Sequence, residues 1–385
     1  MKIAIDGTTL CDAEGGVGAG IEHYTWELVH ALLQTKSSHT FLIFVPSVLS
    51  KPRVNALIDE AQSRVRIVRV PKMQIPFLSR HVIFPLSIAL SGADILFSPF
   101  GQLPLLWRGK SIVTLHDVAI FEHPEWFADL GNQDFSTRVV VPKSIEQADR
   151  ILAVTETTKQ RLVGLFPDAQ EKTSVVYEGV RQPNLNAMRG SSTLFPFDHD
   201  FVLYLGTIEP RKNLRMAVEA FDLFLQQHEE SASTVRFIIA GKTGWGSEEL
   251  MTLIKNVNHT WSQFEPEGVI RCLGAVTEEE KWSLLSRASV FVYPSLYEGF
   301  GLPVLEAMSV GTPVMITWEP ALEEVSGDAA ITVAINDVEG MSLAMAQCLL
   351  LPEAVSLLRE DGISRSKLFS WQRTARETLQ VIESI

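Results

Sequence analysis

Short apolar runs alternate along the whole chain with longer stretches whose apolar positions recur at helical spacing, the pattern of an α/β protein built on mostly parallel sheets. In the first half the runs predicted as strands are 2–5, 40–45, 66–70, 94–97, 111–115, 150–154 and 173–177. The pattern restarts in the second half at 201–205, 235–240, 269–273, 290–293, 313–316 and 330–333. Between the halves, residues 181–192 have turn-forming composition and no sustained period, which places a hinge there. The economical reading is two doubly wound domains, 1–182 and 200–370, joined by a linker over 183–199. An amphipathic helix is predicted at the end, over 371–385. Open α/β sheets bind ligands beyond the carboxyl ends of their strands, so two such domains facing one another make a cleft supplied with loops from both.

Composition narrows the class. A chain of 385 residues with 46% hydrophobic and 21% charged residues is globular and long enough for two cores. No apolar run has the length and flanks of a transmembrane helix, and Met1-Lys2-Ile3-Ala4-Ile5-Asp6-Gly7 reads as a first strand and not a signal peptide, so the expected location is the cytoplasm. Cys11, Cys272 and Cys348 have no ligand-like spacing and read as ordinary thiols. The formal charge of -13 is uneven: residues 1–180 hold 17 Lys and Arg against 19 Asp and Glu, and the rest 16 against 27. That acidity, with no recognised binding motif, excludes nucleic acid as a partner. Residues 51–80 run against the trend, with Lys51, Arg53, Arg64, Arg66, Arg69, Lys72 and Arg80 against Asp59 and Glu60, around the apolar Ile75-Pro76-Phe77-Leu78. They read either as a solvated face or as a peripheral contact with anionic lipid on the inner face of the membrane.

The candidate chemistry sits at strand ends. In Glu298-Gly299-Phe300-Gly301-Leu302-Pro303-Val304-Leu305-Glu306 two carboxylates stand eight positions apart at a predicted strand-to-helix turn. The glycines admit close backbone approach, the helix start offers N–H groups to an anion, and the carboxylates accept from hydroxyls. Gly206-Thr207-Ile208-Glu209-Pro210-Arg211-Lys212-Asn213 places two adjacent cations on a loop before a helix, an arrangement that would stabilise a bound anion. His116 follows a buried-looking strand and Asp117 either orients its ring or caps the next turn. Gly16, Gly18 and Gly20 lie in a glycine-rich turn between the first strand and a helix bearing Tyr24. That turn lacks the acidic ribose partner of a dinucleotide fingerprint, which leaves a dehydrogenase as the weakest reading. Gly241 and Val276 lie on two further strand-end loops, and Glu278 to Glu280 read as a helix N-terminal charge cluster and not a metal site.

Together these segments resemble the family 4, group 1 glycosyltransferases, retaining enzymes of the two-domain GT-B fold, with the E-x7-E signature at Glu298 and Glu306. The resemblance implies two Rossmann-like domains facing across a cleft, with the terminal helix crossing back onto the first. It implies that Glu298 binds donor-sugar hydroxyls, Glu306 the ribose, and the Phe300, Gly301 and Leu302 backbone the sugar and phosphate oxygens. Arg211 and Lys212 would hold the diphosphate beside Gly206, His116 would support the sugar from the first domain, Gly16 or Gly18 would lie against donor phosphate or acceptor, and Gly241 and Val276 would bracket the base. One departure is Thr207, where many members carry Arg directly after the glycine, so Arg211 must supply any guanidinium.

The phosphate loop looks most like that of bacterial mannosyl- and rhamnosyltransferases of O-antigen or exopolysaccharide synthesis. The expectation is therefore a retaining hexosyltransferase using GDP-mannose and a glycan or polyprenyl-diphosphate-linked acceptor, with no cofactor and no divalent metal. The alternatives are a UDP-glucose enzyme with a small soluble acceptor and a non-catalytic sugar-nucleotide-binding protein.

Overall fold

The computed structural model describes residues 1–11, 20–61, 64–70, 75–127, 135–181 and 199–385. They form two compact units, Met1–Gly179 with Phe369–Ile385, and Val180–Leu368. The chain leaves the first unit three residues before the expected end of the first domain, and the expected linker lies, apart from His199, outside the described residues.

The first unit holds a seven-stranded parallel sheet of β1 (Lys2–Asp6), β2 (Thr40–Pro46), β3 (Val65–Val70), β4 (Ile95–Ser98), β5 (Lys110–Leu115), β6 (Arg150–Ala153) and β7 (Thr173–Val175), in the order β3-β2-β1-β4-β5-β6-β7. Ile3, Ala4 and Ile5 pair with Phe41, Leu42 and Ile43 on one side and with Ile95, Leu96 and Phe97 on the other. Burial on both faces explains why these strands read as continuous apolar runs. One face packs Ala4, Leu42, Phe44, Leu96 and Val113 against Phe84 and Ile88, with Val68 and Val70 of the edge strand at the margin. The terminal helix Trp371–Glu383 lies on the helix Gly20–Gln34 and buries Trp371, Ala375, Leu379 and Ile382. Each large apolar side chain so covered contributes about 1.5–3 kcal/mol.

The second unit holds a six-stranded parallel sheet of β8 (Asp200–Leu205), β9 (Val235–Ala240), β10 (Ile270–Gly274), β11 (Val290–Tyr293), β12 (Val314–Thr317) and β13 (Ile331–Val333), in the order β10-β9-β8-β11-β12-β13. All thirteen strands coincide with runs expected from the sequence to within two residues at either end. Strand order reverses between β1 and β4 in the first sheet and between β8 and β11 in the second. A crevice opens at such reversals because the flanking connections depart to opposite faces. The loops after β8 and β11 are those that carry Arg211, Lys212 and Glu298.

Candidate active site

In the second unit the two loops at the strand reversal are joined through their backbones, the Leu296 N–H donating to the Arg211 carbonyl at 2.8 Å. Their side chains form one cluster, buried but for the half-buried Arg211. Lys212 Nζ donates to Tyr293 Oη at 2.9 Å and to Glu298 Oε1, which also accepts from Ser295 Oγ at 2.7 Å. Arg211 Nη1 lies 3.4 Å from Glu298 Oε2 and donates to the Tyr297 carbonyl at 3.2 Å, while its Nε pairs with Glu209. Two cations are thus set against two carboxylates. Burial pulls the Glu298 pKa up, but the charges of Lys212 and Arg211 and the hydrogen bonds from Lys212 and Ser295 outweigh it and hold the carboxyl below its ordinary range. Burial moves Lys212 the other way, and with Arg211 nearby its pKa stays below that of an ordinary lysine despite Glu298.

Local geometry explains the glycines. Gly301 sits at φ 95° and caps the helix Leu302–Ser309, a left-handed position that a side chain adopts only under strain. Pro303 lies inside the first turn of that helix, where its missing N–H costs nothing. Gly206 and Gly241 pack backbone to backbone, so that a Cβ at Gly241 would collide with the Gly206 carbonyl, and both have positive φ. These two loops meet because neither carries a side chain.

Glu306, buried one turn into the helix, accepts from Lys281 Nζ at 2.6 Å. Lys281 also reaches Glu278 at 3.0 Å, and although burial opposes its charge, Glu306 and Glu278 raise its pKa. Thr277 and Glu280 cap the helix Glu278–Arg287 reciprocally, so part of the acidic run is capping chemistry, and Val276 lies half-buried just before it. Phe300 is buried.

In the first unit His116 follows β5 with Nδ1 3.0 Å from Glu178 Oε1 and Nε2 2.9 Å from the Pro99 carbonyl. Asp117 accepts from the Ala119 N–H at 3.1 Å, a turn cap and not a ring partner. Gly16 and Gly18 lie outside the described residues. Sequence reasoning missed Glu178, Glu209, Tyr293, Ser295 and Lys281. Glu209 stood in the quoted phosphate loop and Tyr293 and Ser295 in the strand end before Glu298, and their polarity next to a candidate loop was the available signal. Glu178 and Lys281 gave none.

The chain matches the family described as "Glycosyl transferases group 1" over residues 191–365 and "Glycosyltransferase Family 4" over residues 18–182. It is 30% identical over 277 residues to O-antigen chain mannosyltransferase B of Escherichia coli, covering 70% of this chain and 69% of that one. The chain belongs to the family 4, group 1 glycosyltransferases. Another relative of this glycosyltransferase, O-antigen chain mannosyltransferase RfbU of Salmonella typhimurium, is 27% identical over 66% of this chain and 64% of its own, somewhat under two thirds of that protein's length. Anabaena HepE, solved in complex with UDP and glucose, shares the fold with a TM-score of 0.71, full coverage of both chains and 15% identity. The fold is GT-B, two parallel-sheet α/β domains.

Among the described residues no three of His, Cys, Asp and Glu are disposed to hold a metal ion, and no single helix is long and apolar enough to cross a membrane.

Proposed function

We propose that this glycosyltransferase is a retaining mannosyltransferase that moves mannose from GDP-mannose to a glycan or lipid-linked glycan in bacterial surface polysaccharide synthesis. The observation that carries the reading is the joining of Arg211, Lys212 and Glu298 in one largely buried cluster on the two loops at the strand reversal. The mannosyltransferase relatives favour the sugar and, through it, the guanine nucleotide. Arg211 and Lys212 take the charge that grows on the leaving diphosphate, a task that elsewhere falls to a divalent cation. Glu298 holds the cations in place and keeps lone pairs on Oε2 for a donor hydroxyl. Glu306, with one oxygen engaged by Lys281, turns the other to the ribose. His116 is the donor-sugar residue that the family resemblance implies. Retention follows if the acceptor hydroxyl attacks on the face the phosphate leaves, the phosphate oxygen receiving its proton, so no carboxylate nucleophile is assigned.

Thermal unfolding with GDP, UDP, dTDP and NAD and with the matching sugar nucleotides tests this reading. A ligand bound only by the folded chain, present at a hundred times its Kd, stabilises by about 2.7 kcal/mol. GDP and GDP-mannose are expected to raise the midpoint by several degrees, and Glu306→Ala to abolish most of the rise. A rise with UDP alone replaces the donor, and no rise with any nucleotide sinks the enzyme reading.

The membrane contact is also part of the proposal, with a changed footprint. Of the basic residues expected to face lipid, Arg53 pairs with Glu22 and stacks on Trp26, Arg64 binds the carbonyls of Leu33 and Ser37, Arg69 those of Ser47 and Leu49, and Arg80 pairs with Asp6. Lys51, Arg66 and, despite its two carbonyl bonds, Arg69 remain exposed, and Lys72 lies outside the described residues. The apolar signal extends further than the sequence implied, with Ile75, Phe77, Leu86, Leu90, Leu106 and Phe135 all exposed and the Phe77 and Phe135 rings 5.8 Å apart. Residues 61–93 contain five Lys and Arg and no Asp or Glu in a chain of charge -13, which matches an anionic bilayer. Leu86→Ser with Leu90→Ser is expected to cut sedimentation with phosphatidylglycerol vesicles by roughly 10-fold or more, since each buried leucine is worth about 1.5–3 kcal/mol. Unchanged binding removes this face from the proposal.

A further inference from the structure

We propose that Glu178 is a positioning residue of the transfer reaction, holding His116 as a doubly protonated imidazolium with both ring nitrogens committed. The inference rests on the reading of His116 as a donor-side residue. The Pro99 carbonyl only accepts, so His116 Nε2 carries hydrogen across the 2.9 Å contact. A neutral ring would then present the Nδ1 lone pair to a Glu178 oxygen 3.0 Å away, both groups being buried or nearly so. Two lone pairs at that separation repel, so a proton lies between them. Burial lowers the basicity of His116, but the Glu178 hydrogen bond and charge, the Pro99 carbonyl and Asp117 together raise it above that of ordinary histidine, which puts the proton on the ring.

The surroundings are consistent with a fixed charge. Tyr24 meets the imidazole edge-on at 4.5 Å and is held by Thr114 at 3.1 Å, and burial raises its pKa, so it stays neutral. The charged groups facing the ring are Glu178 and the neighbouring Asp117. Glu178 is itself fixed. The next residue, Gly179, packs so closely on the backbone of Ser370 and Trp371 that a Cβ there would strike it. Tyr24 in turn meets Trp371 at 5.7 Å. The carboxylate is therefore anchored where the chain leaves the first unit and again where it returns.

The functional consequence is specific. With both nitrogens donating inside the first unit, His116 has no lone pair for a sugar hydroxyl and is no general base. What it offers a donor is positive charge and its backbone, and Glu178 maintains both without touching substrate.

Glu178→Gln separates charge from geometry, because the amide can still donate to Nδ1 of a neutral ring. The ¹⁵N-histidine spectrum is recorded against pH for the whole protein, with His116 assigned by its absence in His116→Asn. Its midpoint in the native protein is expected above the ordinary value of about 6.5, and in Glu178→Gln below it. Transfer from GDP-mannose is then expected to lose its alkaline limb roughly one pH unit earlier in Glu178→Gln, with donor KM nearly unchanged. A structural defect would instead lower the rate alike at every pH. A native midpoint at or below that of free histidine overturns the proposal, and that measurement stands even if the variant does not fold. If His116→Asn is impaired while Glu178→Gln keeps the native pH profile, the proposal falls alone. If both transfer at the native rate, the donor-side reading falls with it.

Discussion

Replacing Glu298 by alanine is expected to abolish measurable transfer and to destabilise the second unit by about 3–5 kcal/mol, because it removes one partner of a buried ion pair and leaves the other. Lys212 would remain buried with the Tyr293 hydroxyl in place of a carboxylate, and its proton affinity, already lowered by burial, would fall further. Arg211 would lose the oxygen at 3.4 Å that helps set its angle. Glu298→Gln is the sharper variant, since its amide oxygen keeps the bond from Ser295 and only the charge and the acceptor facing Arg211 are lost. We expect it to fold with a lower midpoint and to transfer at least ~10²–10³-fold more slowly, the cost seen when one preorganised charge-stabilising contact is removed. Steady-state transfer from GDP-mannose and thermal unfolding measure the two effects, and a Gln variant of native activity would remove Glu298 from the mechanism. The pair also has a pH signature. A carboxylate whose folded pKa is depressed stabilises fully above its unfolded value of about 4.3 and loses that contribution as pH falls through the lower folded one. The native protein should therefore lose more stability on acidification than Glu298→Gln does, the difference being the Glu298 contribution.

Lys212→Met, which keeps the length of the side chain, is expected to lower kcat by roughly 10²–10³-fold with a smaller effect on donor KM, because the charge acts mainly on the departing diphosphate. Its effect on stability should be milder than that of Glu298→Ala, since the Glu298 carboxylate keeps Ser295 and Arg211. The informative protein is the double variant Glu298→Gln with Lys212→Met. Replacing a whole buried pair by neutral groups is often close to neutral for stability, whereas breaking it is not. The double variant should unfold at a higher temperature than Glu298→Gln alone while staying inactive. Additive losses of stability would show that the two residues do not act as a pair.

The strands were legible because those buried on both faces leave unbroken apolar runs, and the loops because Gly, Pro and paired charges stand at strand ends. Sheet order was not legible, since nothing in the run at 290–293 says that it lies beside the run at 201–205. The same limit hid the second partners. Lys281 follows a run that reads only as the charge cluster of a helix N-terminus, and only the fold sets its ammonium on Glu306. Glu178 stands in a segment without period, 62 positions from the histidine it holds. The basic stretch stayed ambiguous for a related reason: a guanidinium that grips a backbone carbonyl or a buried carboxylate reads, in one dimension, just like one in water.

The return of Trp371–Glu383 to the first unit has a consequence for synthesis. The unit begun first is completed last, after all of Val180–Leu368 has been made. At about 5–20 residues per second the ribosome needs on the order of 10–40 s for that stretch. Throughout that interval Tyr24 and its neighbours lack the helix that covers them, and a nascent chain must shelter an apolar groove until Trp371–Glu383 emerges.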